Sequence, residues 1–189
     1  MATFDYYEKV TTHDSSLSKC IFGIVASKLG DLNKAKEYFI ETLDTDINDC
    51  KGNTKDGLHI ANMGGCYRMV SDGFAGLRIN DDGISLFPML PEGINSYSFN
   101  IMYRGKKISI YVDRLGCKLK TDSSEPLEIK VYDELITINN KEVLVNRKIK
   151  GYIFDLDGVI TSTSIFHYEA WKKIADELNI EFNEEKNEF

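Results

Sequence analysis

Apolar positions recur every three to four residues through the first part of the chain and every second residue through its middle. Over Ser15–Leu29, the positions Leu17, Cys20, Ile21, Ile24 and Val25 fall at helical spacing. Asp14 or Ser15 can cap the start of this helix and Gly30 its end. Asp31 then caps a second helix with Leu32, Ala35, Phe39 and Leu43 on one face. Only Gly30-Asp31 separates the two, which predicts an antiparallel hairpin. A polar loop, Asp44–Asp56, shows no periodicity, and a third helix is expected from about Leu58 to Val70. Gly64-Gly65 within it lowers helix propensity, which points to close contact with a neighbouring backbone.

From Gly83 the period becomes two. Tyr97, Phe99, Ile101 and Tyr103 share one face of Ser96–Tyr103. Arg104-Gly105-Lys106 turns the chain, and Ile108, Ile110 and Val112 resume the alternation, as in a β-hairpin. Leu127–Tyr132, Leu135–Ile138 and, after the Asn139-Asn140 turn, Glu142–Val145 add short strands. Residues 80–146 are thus expected to form an antiparallel β-domain. Beyond Arg147, an apolar strand Lys148–Phe154 leads into Asp155-Leu156-Asp157-Gly158, then a helix from about Ser164 to Leu178 carrying Phe166, Ala170, Trp171, Ile174 and Leu178. Strand, acidic loop and helix open an α/β unit. One strand and one helix cannot enclose a core, so residues 147–189 read as an incomplete piece. The fold class expected is α+β in three parts: helices over 1–79, strands over 80–146, and this α/β opening.

Composition narrows the function. The chain has 189 residues, 42% of them hydrophobic, which excludes a fully disordered chain. Lys+Arg 23 against Asp+Glu 30 gives a formal net charge of −7 with no basic cluster, which argues against a nucleic-acid partner. The apolar runs are too short for a membrane span, and the start lacks a basic flank followed by an apolar stretch. Four cysteines without a CxxC pair read as reduced thiols of a cytoplasmic protein.

Asp155 and Asp157 stand two apart after an apolar strand, where α/β sheets bind ligands. Two such carboxylates can share Mg²⁺, one attacking a phosphorus centre while the other handles a proton. A solvated turn with two incidental acids would show the same four residues. The wider string Phe154-Asp155-Leu156-Asp157-Gly158-Val159-Ile160-Thr161 resembles the first motif of the haloacid-dehalogenase superfamily. With Phe166-His167-Tyr168-Glu169-Ala170-Trp171 it is similar to β-phosphoglucomutases. The resemblance implies Asp155 as nucleophile, Asp157 as general acid/base, Mg²⁺ held by Asp155 and the family's distal acids with Asp157 beside it, and His167 near substrate. Ser162 stands where that family commonly has Asp, and its later motifs do not follow.

Thr11-Thr12-His13-Asp14-Ser15-Ser16-Leu17-Ser18 precedes a helix, where free N–H groups and hydroxyls can hold an anion. Ordinary capping would use the same residues, and a histidine such as His59 at a helix head is commonly structural. Tyr6-Tyr7, Thr12-His13-Asp14-Ser15-Ser16-Leu17-Ser18, Asp56-Gly57-Leu58-His59-Ile60-Ala61-Asn62-Met63-Gly64-Gly65 and Gly73-Phe74-Ala75-Gly76-Leu77-Arg78 together resemble glycoside hydrolase family 65, the inverting disaccharide phosphorylases. The resemblance implies helices from the end of an (α/α)6 barrel followed by a C-terminal β-domain. It implies inorganic phosphate on Ser15 and Ser16 with His59 nearby, attacking an α-glucosyl disaccharide. It also implies a glutamic acid, upstream of residue 1, that protonates the leaving sugar. Glu8 lies close to the serines but matches no motif.

The two resemblances fit consecutive steps: release of β-glucose 1-phosphate, then isomerisation to glucose 6-phosphate. The chain is expected to be a piece of such a bifunctional enzyme, inactive in isolation, with barrel helices whose uncovered apolar faces favour self-association. The competing expectation is a carbohydrate-binding or assembly module in which Tyr97, Tyr103 and Tyr111 stack on sugars.

Overall fold

The computed structural model describes residues 2–147 and 164–182. The chain divides into two compact units, Met1–Arg147 and Lys148–Phe189.

The first unit opens with helices α1 (Ala2–Val10), α2 (Ser18–Leu29) and α3 (Leu32–Ile47). Gly30, left-handed at φ 84°, closes α2, and its N–H returns to the Ala26 and Ser27 carbonyls. The Asp31 side chain accepts from the Lys34 N–H and starts α3. The expected hairpin is present, but its details differ. The α2 helix begins at Ser18, after Leu17, with Ser15 Oγ accepting from the Leu17 N–H one step outside it. The α3 helix runs four residues into the expected loop, and its buried stripe is Ala35, Tyr38, Thr42 and Thr45, with Leu43 outside. Thr42 sends its hydroxyl back to the Tyr38 carbonyl, which lets a polar residue sit fully buried.

A 3₁₀ turn at Thr54–Asp56 leads to α4 (Ile60–Arg68), which continues into a π-helical turn, Met69–Phe74. Glycines let α2 lie against this element. A Cβ on Gly65 would meet Cys20 Sγ at 2.7 Å, and one on Gly23 would meet Met69 Cε at 2.0 Å. Gly64 faces open space. The close backbone approach expected of Gly64-Gly65 therefore belongs to Gly65 alone. Asn62 ties α4 to α3 by donating to the Thr42 carbonyl at 2.8 Å.

Eight strands follow: β1 (Arg78–Asn80), β2 (Gly83–Leu86), β3 (Ser96–Tyr103), β4 (Lys106–Asp113), β5 (Gly116–Thr121), β6 (Leu127–Val131), β7 (Glu134–Ile138) and β8 (Val143–Asn146). They form two four-stranded sheets ordered β1-β2-β6-β7 and β3-β4-β5-β8. The β3–β4 hairpin turns through Arg104 (φ 48°) and Gly105 (φ 76°). Both residues have positive φ, the geometry that matches strand twist. The expectation of an antiparallel domain is corrected at one place: β2 and β6 pair parallel, Ile84 opposite Ile129. The residues after Asn139-Asn140 do not pair back on β7 either; β8 joins β5 in the other sheet.

One apolar core lies between the sheets, with Ile84, Ile129 and Val131 from one and Ile108, Ile110 and Leu119 from the other. Phe74 links it to the helices, meeting Phe39 edge to face (5.3 Å) and Tyr97 at a tilt (6.2 Å). The backbone adds two ties, from Phe87 N–H to the Ala75 carbonyl and from Met89 N–H to the Phe74 carbonyl. Within the second unit, α5 (Ser164–Glu177) forms where the periodicity predicts a helix. Its Trp171 and Ile174 are exposed and Ala175 is buried. The expected strand 148–154 and its acidic loop lie outside the described residues.

The glycine contrast predicts opposite outcomes for adjacent substitutions. Gly65→Ala is expected to destabilise the first unit by about 1–3 kcal/mol through overpacking on Cys20. Gly64→Ala is expected to stabilise it by about 0.5–1 kcal/mol through helix propensity. Urea unfolding of the two variants checks both signs.

Candidate functional site

The start of α2 and the end of α3 meet because the hairpin is antiparallel on one side and the chain into α2 lies over it on the other. His13 turns the chain at φ 54°. Ser18 donates its hydroxyl hydrogen to the Ser15 carbonyl, so the 2.9 Å contact to His13 Nδ1 is completed by the ring N–H. The imidazole packs edge-on against Phe22, 4.8 Å between centroids. This anchors the loop that carries Ser15 and Ser16.

Ser15 and Ser16 line one small cavity of about 130 Å³ with His13, Lys19, Lys51 and Glu41. The Ser16 hydroxyl has no hydrogen-bond partner among the described residues, whereas Ser15 Oγ accepts the Leu17 N–H. Two cations reach this cavity. Lys19 pairs with Glu41 at 2.8 Å, and Lys51 donates to the Asp14 carbonyl at 3.4 Å. The cavity thus offers hydroxyls, two ammonium groups and the first turn of a helix as donors for a small oxyanion, with the Glu41 and Asp44 carboxylates also in its lining. Lys19 and Lys51 join the predicted serines here without belonging to any motif. Lys19 follows the serine run directly, but Lys51 sits in a polar loop that gave no signal.

His59 does not line this cavity. It heads α4, and Asp46 of α3 grips it twice: Oδ2 accepts its backbone N–H at 2.8 Å and Oδ1 meets Nδ1 at 2.6 Å. The carboxylate fixes the proton on Nδ1 and leaves Nε2 as the outward nitrogen. The ring hydrogen bond, helped by the backbone one, holds the Asp46 carboxyl below the usual carboxylate range.

Glu8 is committed elsewhere. Lys34 and Tyr38 both donate to its Oε1. The Lys34 hydrogen bond lowers its carboxyl below the ordinary range, while burial raises the Tyr38 phenol. A carboxylate held ionised in this way is in the wrong state to give a proton to a leaving group.

The tyrosines read as sugar platforms divide. Tyr97 is tucked against the core and donates its hydroxyl to the Met89 carbonyl. Tyr103 packs partly against the same core with Arg104 over its ring, and Tyr111 is exposed with Lys118 over its ring. Asp155 and Asp157 lie outside the described residues, and His167 falls on α5. Among the described residues no group of three or more His, Cys, Asp or Glu is placed to hold a metal ion, and no helix is long and apolar enough to cross a membrane.

Comparison with known proteins places this architecture. Residues 1–68 match the glycosyl hydrolase family 65 central catalytic domain, and residues 77–138 match the family's C-terminal domain. The stretch through Ile138 is thus family 65 sequence, catalytic-domain helices followed by C-terminal-domain strands. The chain is 51% identical to the alpha,alpha-trehalose phosphorylase of Geobacillus stearothermophilus over 142 residues, 75% of this chain and 19% of that protein. It is 36% identical to the maltose phosphorylase of Bacillus subtilis, over 73% of this chain and 18% of that one. A solved structure titled "Putative kojibiose phosphorylase from human microbiome" superposes with a TM-score of 0.73 at 28% identity, covering 79% of this chain and 22% of its own. The chain spans about a fifth of the length of these relatives.

The Asp46–His59 contact has a pH signature. A carboxyl held low in the folded state contributes stability above its unfolded value, about 3.9, and loses it as pH falls through the lower folded value. Asp46→Asn is expected to lower stability near neutrality and to flatten this acid limb below about pH 4. Melting temperatures followed across that range test it.

Proposed function

We propose that residues 1–146 supply the phosphate-holding wall and the C-terminal domain of a family 65 phosphorylase acting on an α-glucosyl disaccharide. The observation that carries this reading is the cavity at the start of α2, where Ser15 and Ser16 sit beside Lys19 and Lys51. Inorganic phosphate held there attacks the anomeric carbon, the glycosidic bond breaks, and the leaving sugar takes a proton from a carboxylic acid. The products are β-glucose 1-phosphate and glucose. Glu8, held ionised by Lys34, is unsuited to be that acid; the resemblance to family 65 assigns it to a glutamic acid upstream of residue 1. His59 lies outside this cavity, and on this reading its Nε2, left free of the Asp46 contact, serves a phosphate or sugar held nearby.

On this reading residues 1–79 are the last helices of a barrel and residues 80–146 its C-terminal β-domain. Residues 147–189 open a β-phosphoglucomutase-like unit that passes the product on to glucose 6-phosphate. The mutase step, in which Asp155 and Asp157 would hold Mg²⁺ and His167 would lie near the substrate, is supported by the strings 154–161 and 166–171. Self-association is supported by the apolar cleft between α1 and α2, lined by Phe4, Tyr7, Ile21 and Val25.

Titration of the 189-residue chain with inorganic phosphate, followed by NMR, tests the wall. Saturable binding is expected, and the Ser15→Ala/Ser16→Ala pair is expected to weaken it about tenfold or more. Unchanged affinity in the pair overturns the assignment. The same chain is expected to release no glucose 1-phosphate from trehalose or maltose. Robust turnover would show that the acid lies within these residues.

A further inference from the structure

A cleft of about 620 Å³ lies at the other end of α2, lined by the helix terminus, the β1–β2 hairpin and the segment after β2. The α2 helix has 12 residues, so this cleft stands about 18 Å from the serine cavity. Two features distinguish it from an ordinary surface groove.

The first is Ser27. It lines the cleft, is 1% exposed, and its Oγ has no hydrogen-bond partner. Buried hydroxyls are nearly always paired, within a helix often to the carbonyl four residues back. Gly73 lies against it, and a Cβ at that position would stand 3.3 Å from the Ser27 oxygen. Among the described residues nothing is bonded to this hydroxyl.

The second is the pairing of an aromatic face with uncommitted polar groups. Phe87 lines the cleft, 44% exposed, and is held from one side by the Tyr132 ring at 5.6 Å, edge to face. Asn80, Asp82 and Ser85 line the same cleft without a side-chain hydrogen bond to any described residue. Its other polar groups are largely committed: Arg78 donates to the Asp72 and Leu77 carbonyls, and Lys130 pairs with Asp133 at 3.4 Å. Lys28 and Asp82 offset one another, which leaves the Arg78 guanidinium as the one net charge of the lining. The cleft also sits at the carbonyl end of α2, where the helix dipole disfavours anions. A ligand that suits it has a flat apolar face, several hydroxyls that both donate and accept, and no charge. That is the chemistry of a neutral pyranose.

We propose that this cleft is a carbohydrate site separate from the phosphate wall, with Phe87 as the stacking platform and Ser27, Ser85, Asn80 and Asp82 as hydrogen-bond partners of a neutral glucosyl sugar. The site stands whether or not the serine cavity holds phosphate.

Glucose, glucose 1-phosphate and inorganic phosphate, each titrated into the 189-residue chain and followed by amide NMR, separate the possibilities. Saturable glucose binding in the millimolar range is expected, with shifts at Ser27, Asn80 and Phe87. Phe87→Ala is expected to weaken it about threefold or more. Ser27→Ala is expected to weaken it about two- to tenfold without lowering the melting temperature, since the hydroxyl has no partner to lose. The Ser15→Ala/Ser16→Ala pair is expected to leave it unchanged. Absence of saturable glucose binding by the folded chain, binding indifferent to both Phe87→Ala and Ser27→Ala, or preference of the cleft for inorganic phosphate overturns the proposal.

Discussion

The close approach of α2 to the α4–π element is the constraint on which the helical part of this unit depends. It exists because the facing positions have almost no side chain: Gly65 receives Cys20, Gly23 receives Met69, and Gly73 receives Ser27. Backbones that near to one another have little freedom to slide, since each neighbour fills the space a Cβ would need. The seam therefore fixes α2 along its axis. Both ends of α2 are used, one presenting the serine loop and the other closing the cleft against β1 and β2. The π-helical turn is part of the same device. By widening the helix it puts Met69 over Gly23 and Phe74 between Phe39 and Tyr97, which joins helices and sheets into one unit.

The site at the head of α2 depends on a second layer of contacts rather than on the serines themselves. His13, in a left-handed conformation, uses one ring nitrogen to hold Ser18 and its ring face to meet Phe22 and Tyr38. Asp46 does the equivalent for His59 from the far end of α3. In both cases a histidine is fixed by a polar partner, and at the cavity itself the His13 contact steadies the serine loop while Glu41 and the Asp14 carbonyl hold Lys19 and Lys51. This is how a loop of small polar residues acquires a defined geometry without a core of its own.

Much of this was legible in the sequence where the signal is local. The α2–α3 hairpin followed from Gly30-Asp31, the β3–β4 hairpin from strict alternation around Arg104-Gly105, and α5 from its periodicity. What escaped depends on partners distant along the chain. β5 alternates Cys117, Leu119 and Thr121 with two lysines, a pattern too short to stand out before its neighbours β4 and β8 are known. The parallel pairing of β2 with β6 leaves no local trace, because nothing at Ile84 announces Ile129. The apolar face read for α3 includes Leu43, whereas the buried position beside it is Thr42, whose hydroxyl bonds to its own helix. Of the candidate site, the serines were visible as a motif, Lys51 was not, and His59 turned out to face Asp46 rather than the serine cavity.

The parallel β2–β6 pair also sets an order of assembly. β2 gains its first neighbour at once, through the tight β1–β2 connection, but its second strand arrives only after the whole β3–β4–β5 meander has been made. Closing that long loop is entropically expensive before the sheets share a core. The meander is therefore expected to act as the nucleus, with the other sheet zipping onto it last, and a chain emerging from the ribosome would hold an unpaired β2 edge until Ile129 is clear.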